Sequence, residues 1–159
     1  RFAYAEASSA EALEHIVAIV ERLRQNDVEV VVYLPSLAPD VYALMQNHQD
    51  EYTYIRSFTS DVQEALAERS VPFFNFHDAA AIGSSDCEFV DGFHAGDVST
   101  ARLLRAMGNR STTGSTLRAL LDEAELTRVI QDHSGLAMIP DERIAKVTEV
   151  DFLGLGCEK

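Results

Sequence analysis

The stretch VEVVVYL at 28–34, followed at once by Pro35-Ser36-Leu37-Ala38-Pro39, decides the fold class. A short, nearly continuous apolar run rich in β-branched residues is the pattern of a strand buried on both faces in a parallel sheet. Pro35 and Pro39 break the strand at its C-terminal end, and Pro39 is placed to open a short helix through Val41, Leu44 and Met45. Upstream, Leu13, Ile16, Val17, Val20 and Leu23 recur at helical intervals, and Ser8 and Glu11 have capping-box spacing. They predict an amphipathic helix over 8–25, stopped by Asn26-Asp27. Downstream, Phe58, Val62, Ala65 and Leu66 predict a helix over 54–69, and VPFFNF at 71–76 reads as a second strand. The resulting αβααβ order predicts a three-layer α/β/α fold with a mostly parallel sheet and right-handed crossovers.

The stretch 79–93 has neither helical nor strand periodicity and reads as a loop. A third amphipathic helix is expected over 97–107, with Val98, Ala101, Leu104 and Met107 facing the core and Gly108 as its C-terminal cap. NRSTTG at 109–114 is the best linker candidate. It leads to an expected helix over 115–132 and short apolar runs at 136–139 and 147–153. Residues 1–110 are thus read as an α/β domain and 111–159 as a helical extension packing on it.

The chain has 159 residues with 47% hydrophobic and 25% charged residues, about one domain's worth of ordinary globular composition. Thirteen Lys and Arg against 26 Asp and Glu give a net charge of −13. With no basic stretch to neutralise successive phosphates, nucleic acid is not an expected partner. No run of about 18 apolar residues is present, so no segment is expected to cross a membrane. Cys87 and Cys157 lie 70 positions apart outside any C-x-x-C pattern. They are either a disulfide, which needs an oxidising compartment, or two unrelated thiols.

Ligands of open α/β sheets bind beyond the C-terminal ends of the strands, which directs attention to the polar residues after Leu34 and Phe76 and before the third helix. Asp91-Gly92-Phe93-His94 is the most informative group. A carboxylate three residues before a histidine can accept Nδ1–H and leave Nε2 free to take a proton from a serine. Asp91 and His94 are therefore the candidate catalytic residues. His77-Asp78 at the end of the second strand reads as a turn-satisfying pair, and Ser36 reads as either cleft lining or a loop residue. His15, His48 and His133 receive no role. A site built from His77, Asp91, His94 and Asp97 would suit zinc or iron by ligand type but follows no recognised spacing, so neither a metal nor a cofactor is expected. Asn109-Arg110-Ser111 has the form of a glycosylation sequon.

The run FVDGFHAGDVSTARLLRAM at 89–107, placed after an αβααβ unit, resembles the SGNH (GDSL-like) hydrolase superfamily, especially its bacterial polysaccharide O-acetylation and DltD-like branches. In that superfamily a D-x-x-H motif carries the catalytic Asp and His just ahead of the final helix. The resemblance extends over about 8–107 and includes VVVYLPSLAP at 30–39. The family's G-D-S nucleophile block and G-x-N-D oxyanion block do not appear, and Gly83-Ser84-Ser85-Asp86 has the wrong order and place to replace them. Together with Arg1 in place of Met, this leads us to expect the C-terminal portion of an SGNH-like domain, inactive alone, with its serine outside this chain. A naturally reduced relative is the other reading.

The resemblance implies an ester hydrolase or O-acyltransferase acting on acyl (acetyl) esters of a bacterial polysaccharide, or on a small ester. It further implies a periplasmic or extracellular setting, with the cytoplasm left open. The extension is a candidate surface for a protein partner. The competing expectation is a non-catalytic glycan- or protein-binding module that keeps the fold.

Overall fold

The computed structural model describes residues 7–48, 50–112, 115–139 and 156–157. The protein is a mixed α/β chain with a two-stranded parallel sheet. It divides into two compact units, 1–34 with 43–75, and 35–42 with 76–159. Among the described residues no helix is long and apolar enough to cross a membrane.

In the first unit, helix α1 (Ala10–Arg24) precedes strand β1 (Val32–Leu34), and helix α3 (Ile55–Ala67) precedes strand β2 (Phe73–Asn75). Helix α2 (Pro39–Asn47) joins the two αβ segments and has residues in both units. The αβααβ order is as expected. β1 and β2 run parallel in the register Val32 with Phe73, Tyr33 with Phe74 and Leu34 with Asn75. Val20, Val62 and Leu66 form the core, packed by Leu13, Ile16, Phe58, Val30, Val32, Val71 and Phe73. Side chains alternate along a strand, so Val30 and Val32 share the face that α1 and α3 cover. Tyr33 points to the other face and is 48% exposed. Burial of VEVVVYL on both faces therefore fails at Tyr33, and the regular strand is three residues long rather than seven.

Several ends of elements differ from expectation for local reasons. Ser9, not Ser8, caps α1, its side chain accepting from the Ala12 N–H at 3.2 Å. The Ser8 hydroxyl instead donates to Asp61 on α3 at 2.6 Å, which ties the two helices. Asp27 ends the turn after α1 with φ of 58°, a left-handed conformation that Asp tolerates better than most residues.

In the second unit, helix α4 (Asp97–Arg110) runs three residues past the expected end. Gly108 lies inside it and is buried, and a Cβ there would stand 3.1 Å from Leu121 Cδ1. Its value is room for a neighbour rather than a cap. Ser111 ends the helix by donating its hydroxyl to the Met107 carbonyl at 2.7 Å. The single helix expected over 115–132 is two, α5 (Thr116–Leu120) and α6 (Glu123–His133). Asp122 divides them because its side chain accepts from the Glu125 N–H at 3.0 Å and starts a new helix. Both pack on α4. The expected loop 79–93 contains two short 3₁₀ turns, Ala79–Ile82 and Asp86–Glu88, the first capped by Asp78. The apolar run at 147–153 and much of the expected extension lie outside the described residues.

Glu88 is the hub of this unit. Its carboxylate is 1% exposed and accepts from Arg102 Nε at 2.9 Å, Arg102 Nη2 at 2.9 Å, Ser84 Oγ at 2.7 Å and the Gly135 N–H at 3.0 Å. A buried charge requires such compensation. One residue away, Cys87 is bonded to Cys157, with their Cα atoms 5.5 Å apart. Closing a loop of that length restricts the unfolded chain by up to about 4 kcal/mol. Replacing Glu88 by Ala strands the Arg102 guanidinium. Urea denaturation is expected to show a loss of about 3–5 kcal/mol, against less than about 0.5 kcal/mol for Leu44→Ala at an exposed position.

Candidate functional site

The loop carrying Asp91 and His94 is closed at its base. Phe89, fully buried, forms an antiparallel bridge with Ala95, and the Val90 N–H donates to the His94 carbonyl at 2.9 Å. Phe89 packs with Ala38 and Ala79, and Val41 and Ala95 lie against this cluster. The far side of the closure is equally tight. The Gly96 N–H donates to the Glu88 carbonyl, and a Cβ on Gly96 would fall 1.9 Å from the Ala137 carbonyl oxygen. The Asp97 N–H donates to that same oxygen at 2.7 Å. At the tip, the Gly92 carbonyl accepts from the Ala38 N–H at 3.0 Å, and a Cβ on Gly92 would stand 2.5 Å from Val41 Cγ2. Only glycine allows this approach without displacement.

Within this frame the Asp91 carboxylate does two things. Oδ1 accepts from the backbone N–H groups of Phe93 and His94, each at 2.8 Å, an Asx turn that fixes the backbone. Oδ2 lies 2.7 Å from His94 Nδ1. The hydrogen bond from His94, followed by that from the Phe93 amide, holds the Asp91 carboxyl below its ordinary pKa. Near neutrality it is ionised and can only accept, so Nδ1 carries the proton and donates. Whenever the ring is neutral, Nε2 is then its unprotonated nitrogen. The His94 side chain is 77% exposed, and among the described residues Nε2 makes no hydrogen bond. An exposed pair of this kind contributes at most about 1 kcal/mol to stability.

The other sequence candidates fall out differently. The Asp78 carboxylate accepts from the Ala80 and Ala81 N–H groups, capping a 3₁₀ turn, so it serves the turn as expected, though through the backbone. His77 is largely buried, which pushes its imidazole below the usual pKa and favours the neutral form. Asp97 accepts from the Ile139 N–H at 2.9 Å, and among the described residues no three His, Cys, Asp or Glu side chains gather as a metal would require. Ser84 donates to Glu88, so its hydroxyl is committed to the buried network. Ser36 is 1% exposed with its Oγ unpartnered; it lines no open surface. Ser99, equally buried and unpartnered, carried no sequence signal beyond its place between apolar residues of α4. Asn109 sits in the last turn of α4 rather than in a linker.

Two clefts, one beside Glu21, Arg24 and Gln25 and one between α4, α5 and α6, are lined by neither Asp91 nor His94. The site is an oriented dyad with both side chains exposed. No family model, no curated protein and no solved structure matches the chain.

The linkage between Asp91 and pH has a definite sign. Its carboxyl pKa is depressed in the folded state, so the pair's stabilisation is present above the unfolded-state pKa and lost as pH falls through the depressed folded value. Carboxyl ¹³C titration is expected to place Asp91 below the usual carboxylate range. His94→Ala removes the largest cause of the shift and is expected to move the midpoint upward; an unchanged midpoint would show that the ring does not hold the acid.

Proposed function

We propose that this chain is part of an SGNH-like serine esterase or O-acyltransferase acting on acyl (acetyl) esters of a bacterial polysaccharide, with the nucleophile outside the chain. The observation that carries the reading is the 2.7 Å contact between Asp91 Oδ2 and His94 Nδ1, combined with a free Nε2. In this reading the parallel βα units belong to a three-layer sheet domain.

The mechanism follows from the ring's orientation. His94 Nε2 takes the proton of the serine hydroxyl as its Oγ attacks the ester carbonyl, forming a tetrahedral intermediate. Asp91 stabilises the imidazolium and keeps the ring from turning. The intermediate collapses as Nε2 returns the proton to the departing alcohol oxygen, leaving an acyl-enzyme. Water, or an acceptor hydroxyl in a transferase, then loses its proton to Nε2 and attacks the acyl carbon; the second tetrahedral intermediate collapses as Nε2 returns that proton to the serine Oγ, which releases the serine. The Cys87–Cys157 bond supports a periplasmic or extracellular setting, since disulfides persist in oxidising compartments.

A second reading, a non-catalytic glycan- or protein-binding module, is favoured by one feature: the imidazole lies on open surface with no enclosing cleft among those described. Treating the full-length protein with a fluorophosphonate separates the two. The hydrolase reading expects covalent labelling of a serine, slowed by about 10²–10⁴-fold in His94→Ala. Labelling indifferent to His94→Ala, or no labelling, would contradict it.

A further inference from the structure

A cleft between α4, α5 and α6, of about 70 Å³, is lined by Leu104, Arg105, Gly108, Asn109, Arg118, Leu121, Glu123 and Leu126. It is separate from the Asp91–His94 dyad and takes no part in the chemistry above. One water needs about 10–15 Å³ of such space, so the cleft admits a group of several heavy atoms. Its walls are of two kinds. Leu104, Leu121 and Leu126 supply an apolar side, and buried Gly108 in α4 leaves space beside Leu121. Arg105 and Arg118 supply the polar side.

Arg69, Arg102 and Arg128 are each paired with carboxylates, and Arg110 lies over the Phe76 ring. Among the described residues Arg105 and Arg118, like Arg22, form no ion pair and their side chains no hydrogen bond, although the chain carries twice as many acidic as basic residues. Two unpaired guanidiniums lining one cleft of a chain with net charge −13 form a local reversal of sign. Backbone positions are held as well. Ser115 Oγ accepts from the Arg118 N–H at 3.3 Å, and Arg105 sits mid-helix in α4. Glu123, exposed at the start of α6, lines the same cleft and leaves it one net positive charge with the two arginines.

We propose that this cleft binds a small organic monoanion, a carboxylate with a short aliphatic tail. The carboxylate takes the planar forks of Arg105 and Arg118, which match its geometry, and the tail lies on the three leucines. A monoanion balances the cleft, whereas a phosphate dianion meets Glu123 with excess charge.

The test is an amide NMR titration of the chain with sodium butyrate, with sodium chloride at equal ionic strength and with inorganic phosphate. Butyrate is expected to give saturable shifts at Leu104, Arg105, Gly108, Asn109, Arg118 and Leu126. Arg118→Gln, at an exposed position where folding is not at risk, is expected to weaken binding by about tenfold, and Arg105→Gln similarly. Arg118→Lys keeps the charge but not the fork and is expected to restore binding only in part. Shifts no greater than those with chloride, butyrate affinity unchanged in both Gln variants, or phosphate binding more tightly than butyrate would each overturn the proposal.

Discussion

The second unit is organised around a buried negative charge. Glu88, 1% exposed, satisfies its carboxylate with a two-nitrogen contact from Arg102, the Ser84 hydroxyl and the Gly135 amide. Those partners reach it from α4, from the 3₁₀ segment before it and from the turn after α6. Its backbone carbonyl receives the Gly96 N–H, which closes the loop that begins at Phe89. The disulfide at Cys87 lies beside it. The desolvation of one carboxylate therefore forces four chain segments to converge, and the loop bearing Asp91 and His94 is what remains between the points of convergence.

That arrangement explains how an exposed histidine is nevertheless oriented. The dyad itself is too open to contribute much to stability. Its geometry comes from below: the Phe89–Ala95 bridge, the close approach of Gly92 to Val41, and the two amides that bind Asp91 Oδ1. A rigid base with a free outer edge is suited to meeting a reacting group that arrives from elsewhere. The cleft on α4 to α6 differs: its lining combines leucines with two arginines that form no ion pair among the described residues.

Much of this was legible from residue types. The αβααβ order followed from periodicity, and the D-x-x-H spacing alone indicated that Asp91 could reach the ring of His94. What escaped were features decided by tertiary contact. Nothing local distinguishes Gly108 as a helix interior from Gly108 as a cap; the neighbouring Leu121 decides it. Glu88 looked like one acidic residue among 26, because burial of a charge depends on partners as distant as Gly135. The division of α5 from α6 was signalled by Asp122 and Glu125, a capping pair hidden in an apolar-periodic stretch. The alternation that left Tyr33 exposed cannot be read from a run in which nearly every residue is apolar.

Asp91 fixes the tautomer and direction of the His94 ring. Long-range ¹H–¹⁵N NMR of the imidazole, recorded where the ring is neutral, reads this directly. The proton is expected on Nδ1 in the native protein, with a shift toward the Nε2–H form in Asp91→Asn. A native ring protonated on Nε2, or a tautomer mixture unaffected by Asp91→Asn, would contradict it.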